Sequence, residues 1–309
     1  MAAAPAPAMK LGPFAQPGRF YKGNLHTHSN VSDGMLPPAE VCRRYRERGY
    51  DFLCLSDHFL PAYGHPVTDT RALRSDGFTT LIGAEVHVPA TRLGEKWHLL
   101  ANGLPLDFAP PLAGETAAEL AARCAAAGAF VSIVHPAWYA LSVEDARSIT
   151  AAHAVEVYNH TSAVKTDRGD GSVMLDKLLS LGHRLNALAC DDAHFEVDDA
   201  FGAWVMVKAV ANEPDALLAA LKAGHYYSST GVVLHDLRFE GEELVVECSA
   251  ATGIYLQGKG SRATQVLGRD LRQARLPAHE LGKHSYLRVT VVDAQGRRAW
   301  SNPFWRDEI

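Results

Sequence analysis

From residue 36 onward the hydrophobic positions recur in one order: a helical stripe, a glycine, a short apolar run, then polar residues. Pro37 and Pro38 open the first helix, Val41, Cys42 and Tyr45 form its apolar stripe, and Gly49 ends it. The apolar run Phe52 to Leu55 follows and delivers Asp57 and His58. A second copy starts at Thr116, with Glu119 three residues later as a capping box. It continues through an alanine-rich helix to Gly128, and its strand, Phe130 to Val134, ends in His135-Pro136. A third helix runs from Ser172 to Leu181 and stops at Gly182, and the strand Leu185 to Ala189 leads to Asp191, Asp192 and His194. The last helix opens at Pro214 and stops at Gly224, before Tyr226-Tyr227-Ser228. Further strands are predicted at Thr80–Val88, Trp97–Ala101, Ala154–Tyr158 and Trp204–Ala209. Strands alternating with helices predict an α/β fold with a parallel sheet. Polar residues gathered at several strand ends predict a closed or nearly closed barrel with its site at the C-terminal face.

After Gly231 the period changes. Leu234–Phe239, Glu243–Cys248 and Tyr286–Val292 alternate apolar and polar residues, with turns at Glu240-Gly241 and Ala294-Gln295-Gly296. Residues 232–309 are therefore expected to form a small, mostly antiparallel β domain, with Trp300, Phe304 and Trp305 in its core. Residues 1–19 are expected to be a flexible lead-in, and residues 20–231 the barrel.

Composition narrows the function classes. The chain has 309 residues, 47% hydrophobic and 21% charged, as expected of a globular protein. A net charge of −5 argues against a nucleic-acid polymer as partner. It leaves a small-molecule substrate, including a nucleotide. The five cysteines form no CxxC pair and read as buried free thiols in a reducing compartment. No run approaches the ~18 apolar residues of a membrane helix. The stretch MAAAPAPAMKLGPFAQPG lacks the charged start and apolar core of a signal peptide, so a cytoplasmic location is expected. The oligomeric state is not legible.

The chemistry lies in Asn24 to His58. In NLHTHSNVSDG, His26 and His28 are two apart at the end of an apolar segment, so on a strand both imidazoles face one way. Asp33 follows in a Ser-Asp-Gly turn, as a ligand or as an Asx-turn residue. Asp57 and His58 end the next strand. Glu85, after the apolar run Leu81 to Ala84, would be costly in a barrel strand if unpaired, and a bridge between two metals is the favoured role. His87 shares its face and rivals His98 as the next ligand. His135 ends its strand as His58 does, and Asp192 and His194 repeat the two-residue spacing. Asp191 should point to the other face. Imidazole and carboxylate together suit Zn, Mn or Fe. His65, His153, His183, His225, His235, His279 and His284 have no such companions and read as surface or core residues. His160, after Glu156 and Asn159 at a strand end, is a candidate substrate contact. No GxSxG elbow, P-loop or GxGxxG precedes a helix.

HTHSNVSDG, LSDH, the lone Glu85, His135-Pro136 and DDAH together resemble the PHP (polymerase and histidinol phosphatase) superfamily over roughly residues 20–231. The resemblance implies a distorted (β/α)7 barrel with two or three divalent metals at its C-terminal mouth. By motif, one metal would take His26, His28, Glu85 and Asp192. A second would share Glu85 and take His98 and His135, which settles the rivalry with His87. A third would take Asp33, His58 and His194, and Asp57 would orient ligands. KGNLHTHSNVSDG with YRERGYDFLCLSDH, the later SSTG and the ending AWSNPFW look most like the bacterial carbaryl-hydrolase-like subgroup.

These residues lead to the expectation of a metal-dependent hydrolase, a phosphoesterase acting on a small phosphorylated metabolite or nucleotide through a metal-bridging hydroxide. Lys165 and Arg168, in the loop expected after the Glu156–Asn159 strand end, are candidate phosphate clamps. Asp57 or an unligated His194 is the candidate for proton transfer. The same centre acting on a carbamate, amide or ester carbonyl is the first alternative, with FLPAYGH (59–65) and Trp138-Tyr139 as apolar surface. A non-catalytic, metal-stabilised binding module is the second, opposed by the surplus of ligands.

Overall fold

The computed structural model describes residues 8–278 and 285–308. The expectations for His279 and His284, and for residues 1–7 of the lead-in, lie outside these residues.

The strands that carry the polar ends are β2 (Arg19–Asn24), β3 (Phe52–Leu55), β4 (His58–Phe59), β5 (Thr79–Val88), β6 (Trp97–Asn102), β7 (Phe130–Ile133), β8 (Ala154–Asn159) and β9 (Asn186–Cys190). β2–β3, β3–β5, β4–β5, β7–β8 and β8–β9 pair in parallel. Beyond β9 the chain returns to the segment after β2. Thr27 and Ala193 form a parallel bridge, with His28 N–H donating to the Ala193 carbonyl at 2.9 Å and Asp192 N–H to the His26 carbonyl at 2.8 Å. The curved run of strands thus meets itself at the end where the polar residues collect.

The fold departs from strict parallel alternation at β6, which runs antiparallel to both β5 and β7. Residues 89–96 that join β5 to β6 contain no helix, and a parallel partner needs a crossover of about a dozen residues or more. A second departure is β10 (Trp204–Ala209), which pairs antiparallel with β2 and leads into β11 (Tyr226–Ser229).

Helices α1 (Pro38–Glu47), α2 (Ala117–Ala126), α3 (Val143–Ala146), α4 (His160–Thr166), α5 (Ser172–Ser180) and α6 (Pro214–Lys222) connect these strands. Their ends follow local chemistry. In α2 Thr116 Oγ1 accepts from the Glu119 amide while the Glu119 carboxylate accepts from the Thr116 amide. Gly49, Gly128, Gly182 and Gly224 turn the chain with positive φ after four of the helices. Among the described residues no helix is long and apolar enough to cross a membrane.

The remaining strands are β12 (Leu234–Glu240), β13 (Glu243–Gly258), β14 (Ala263–Pro277), β15 (Tyr286–Val292), β16 (Arg298–Ser301) and β17 (Phe304–Trp305). They pair antiparallel with one another, and β16 also pairs with β11. Trp300, Phe304 and Trp305 are buried. Residues 8–19 differ from the expected flexible lead-in. Met9–Lys10 form β1 against Phe239 and Arg238 of β12, and Leu11 and Phe14 are buried among the C-terminal strands. Two apolar side chains that can leave water outweigh the turn-forming Gly and Pro around them. All five cysteines are free and buried.

Candidate metal centre

Glu85 is the centre of the cluster. β5 alternation aims it inward with Ala84 and Val86 outward, and the side chain is fully buried. His98 Nδ1 lies 2.7 Å from its Oε1, His135 Nε2 3.1 Å from the same oxygen, and His58 Nδ1 2.7 Å from Oε2. His26 Nε2 and His28 Nε2 each lie 3.6 Å from Oε2. Asp192 Oδ1 sits beside both of these nitrogens, at 3.1 Å from His26 and 2.9 Å from His28. Asp33 closes the outer side, 3.3 Å from His58 Nε2 and 3.5 Å from His194 Nε2. Every residue expected as a ligand is therefore in one place.

Four groups have donor atoms within 4.8 Å of one another: His28, Asp33, His58 and His194; His58, Glu85, His87 and His98; His26, His28 and Asp192; and His26, Glu85 and His135. They overlap the sets implied by the resemblance without coinciding, since His87 stands with His98 and His28 also approaches Asp33. Four atoms in the cluster are buried with no hydrogen-bond partner among the described residues: His26 Nε2, His28 Nδ1, Glu85 Oε2 and His135 Nδ1. The donor set and these orphaned atoms fit a divalent metal site.

Protonation agrees with that fit. Burial opposes charge on Glu85, yet the neighbouring His58 and His98 hold it well below the ordinary carboxylate range. Asp192 is likewise buried and held low by His26 and His28, and the exposed Asp33 is held low by hydrogen bonds from His194 and His58. Burial and the like charges of His194 and His58 push His28 down to about 4, and burial lowers His87 and His98. His26, His58 and His194 move upward, because adjacent carboxylates overcome their burial, His58 to about 10.

The backbone is shaped to hold this geometry. His135 and Asp192 sit at positive φ, 29° and 60°, a region that side-chain-bearing residues rarely occupy. Asn24 links the strands, since its amide donates to the His26 carbonyl and its Oδ1 accepts from Asp191 N. Asp191 itself faces away from the cluster, as alternation predicts. It accepts from Tyr45 Oη and the amides of Phe201, Gly202 and Ala203.

Three assigned roles change. Asp57 is fully buried and takes its hydrogen bonds from Ser29 N and Oγ, Ser32 Oγ and Thr68 Oγ1. It does not line the cavity and, among the described residues, bonds no imidazole of the cluster; its bonds anchor the turn before Asp33. His160 starts helix α4 and packs over Gly202, with Nδ1 3.3 Å from Tyr158 Oη, outside the cavity. Residues 160–166 are helix where a loop was expected, because Asn159 caps them by accepting from Ser162 N at 2.8 Å. Arg168 is exposed and donates to the Trp138 carbonyl at 3.3 Å, so it supports the cavity wall without lining it. Lys165 does line the cavity and is ion-paired to Glu196 across its mouth.

One residue of the site was passed over. Glu156, fully buried on β8, accepts from His26 Nδ1 at 3.0 Å, His135 N at 2.7 Å and Asn159 Nδ2 at 2.9 Å. Its signal was the one that marked Glu85, a carboxylate inside an apolar strand. The cavity over the cluster measures about 240 Å³, with Trp138 edge-on to His98 and His135 at its wall. The loop 59–65 lines a separate, larger cavity of about 870 Å³ with Val88, Trp97 and Leu112.

Residues 24–160 match the sequence profile of the PHP domain. Asp192 and His194 lie beyond the matched residues and join the cluster through the Thr27–Ala193 bridge. A two-domain protein from Bacteroides vulgatus, containing a predicted PHP-like metal-dependent phosphoesterase, shares the fold over 98% of this chain and 91% of its own length, at 16% identity and a TM-score of 0.52. An amidohydrolase from Chromobacterium violaceum, with bound sulfate and no metal, aligns with 57% of this chain and 89% of its own at 16% identity and a TM-score of 0.45. No protein of curated function matches the sequence.

Proposed function

We propose that this chain is a metal-dependent hydrolase whose substrate is the phosphoester of a small metabolite or nucleotide. The observation that carries the proposal is the set of buried, partnerless donors around Glu85 at the floor of an open cavity. Each such atom left bare costs about 1–3 kcal/mol, and a divalent cation offsets that cost. The PHP domain and the phosphoesterase named in the Bacteroides vulgatus protein support the same reading.

We assign His26, His28, Glu85 and Asp192 to one ion, Glu85, His98 and His135 to a second, and Asp33, His58 and His194 to a third, with Zn, Mn or Fe as candidates. Such ions supply an acidified water and neutralise charge on the reacting oxygens. The protein's part is to hold and exclude. Glu156 fixes His26 by accepting from Nδ1, which leaves Nε2 for the metal. The Asp192 carbonyl does the same for His194, which as a ligand moves no proton. Lys165 is the cation available to a phosphoryl oxygen once it releases Glu196. The small cavity favours a small ester over a polymer.

A second reading keeps the centre and changes the electrophile to a carbamate, amide or ester carbonyl. The apolar ring of Trp138 at the wall favours it. Metal-reconstituted protein should be given para-nitrophenyl phosphate and a naphthyl N-methylcarbamate, with metal counted in the same sample and His26→Ala as control. Phosphate release lost in the variant is the expected result. Carbamate turnover without phosphate release would replace the first reading by the second.

A further inference from the structure

The proposed ligand sets leave one buried imidazole of the cluster without a task. On β5 the two-residue alternation places His87 on the face of Glu85, directly opposite His98 in the β5–β6 register. Its side chain is 1% exposed. Its Nδ1 lies 3.0 Å from the Trp97 carbonyl, which can only accept, so Nδ1 carries the proton. A neutral imidazole has one proton, and His87 Nε2 is therefore a lone pair. That lone pair lies 2.9 Å from His58 Nδ1. Two lone pairs do not face each other at this distance, so His58 Nδ1 bears a hydrogen.

We propose that His87 is a positioning residue, which by accepting from His58 Nδ1 commits His58 Nε2 to the metal beside Asp33 and His194. The inference rests on the metal-centre reading above. The hydrogen-bond chain runs Trp97 carbonyl, His87, His58, and it ends with His58 Nε2 turned to Asp33 Oδ2 at 3.3 Å. Glu85 Oε2 also lies 2.7 Å from His58 Nδ1, but a cation at Glu85 claims that oxygen. His87 then remains as the acceptor. The competing arrangement makes His87 Nε2 itself a ligand with Glu85, His58 and His98. It would require His58 to bind through Nδ1, leaving Nε2–H to Asp33. The separations favour positioning, since His87 Nε2 is 2.9 Å from His58 but 3.9 Å from Glu85. Fixing the tautomer of a ligand histidine in this way sets its orientation and its basicity.

The test uses full-length protein with nitrogen-15 histidine, loaded with cadmium-113, in which metal-to-nitrogen and hydrogen-to-nitrogen couplings are read for each ring. The expected spectrum couples cadmium to His58 Nε2, with the hydrogen of His58 on Nδ1, and leaves both nitrogens of His87 uncoupled. His87→Phe should weaken one metal equivalent by about 10–100-fold and spare the others. His87→Gln, which restores an acceptor near the Nε2 position, should recover most of that loss. Cadmium coupled to His87 Nε2 or to His58 Nδ1 would overturn the inference and keep the metal centre. Absence of cadmium coupling at every histidine would remove the centre and the inference together.

Discussion

At the scale of single residues, the centre depends on carboxylates that bind no metal in the proposed sets. Glu156 has no solvent contact, and all its hydrogen bonds go to site residues: His26 Nδ1, the His135 amide and the Asn159 side chain. Glu156→Gln places an NH2 where two donors already point, leaving buried groups unsatisfied at a cost of about 1–3 kcal/mol. Metal affinity should fall about 10–100-fold in a chelator-competition titration, with the far-ultraviolet dichroism unchanged. Unaltered affinity would show that His26 and His135 are held without it. Glu156 and Glu85 carry the same sequence signal, a charge inside an apolar strand. Asp57 shows the reverse. Adjacent to His58 in sequence, it points to the hydroxyls of Ser29, Ser32 and Thr68, since neighbouring residues near a strand end face opposite ways.

At the scale of elements, helix starts and stops were legible because caps are local. Pro38, the Thr116–Glu119 box, Gly49 and Gly182 act through backbone geometry within a few residues. Helix α4 was missed because His160, Thr161 and Ser162 show no apolar period and its one strong signal is the Asn159 cap. The direction of β6 was also hidden, since it depends on the partner strand. Close approach between elements gives a test. A Cβ built at Gly171 would stand 2.2 Å from the carbonyl oxygen of Glu156, which is backbone and cannot swing away. Gly171→Ala should therefore displace the end of β8, costing about 1–3 kcal/mol in urea denaturation, and metal occupancy should fall with it. Wild-type stability in that variant would show that the loop, not the strand, gives way.

At the scale of the whole molecule, the C-terminal strands are tied to the strands that carry the cluster by polar contacts. Arg288 on β15 is 2% exposed and grips Asp176 on α5 through two bonds of 2.7 and 2.6 Å. Asn302 accepts from Ala187 N on β9 and donates to the carbonyls of Gly224 and Tyr226. Asp176→Ala leaves a buried guanidinium without its bidentate partner, and stability should drop by about 1.5–3 kcal/mol. Arg288→Met in the same background should recover part of the loss, because the unpaired charge is gone. Equal stability of Asp176→Ala and wild type would mean that the contact adds nothing to the docking of β15.

By itself the sequence determined four of the six α-helices and most strands, the inventory of candidate metal ligands, and the face of β5 on which Glu85 lies. These follow from spacing along the chain, where the two-residue and 3.6-residue periods act. Only the tertiary structure decided which of those side chains meet. The Thr27–Ala193 bridge brings His194 and Asp192 to His28 across more than half the chain, Glu156 reaches His26 from another strand, and His87 meets His58 rather than solvent. Contacts between distant strands depend on pairing order and direction. No local period encodes these.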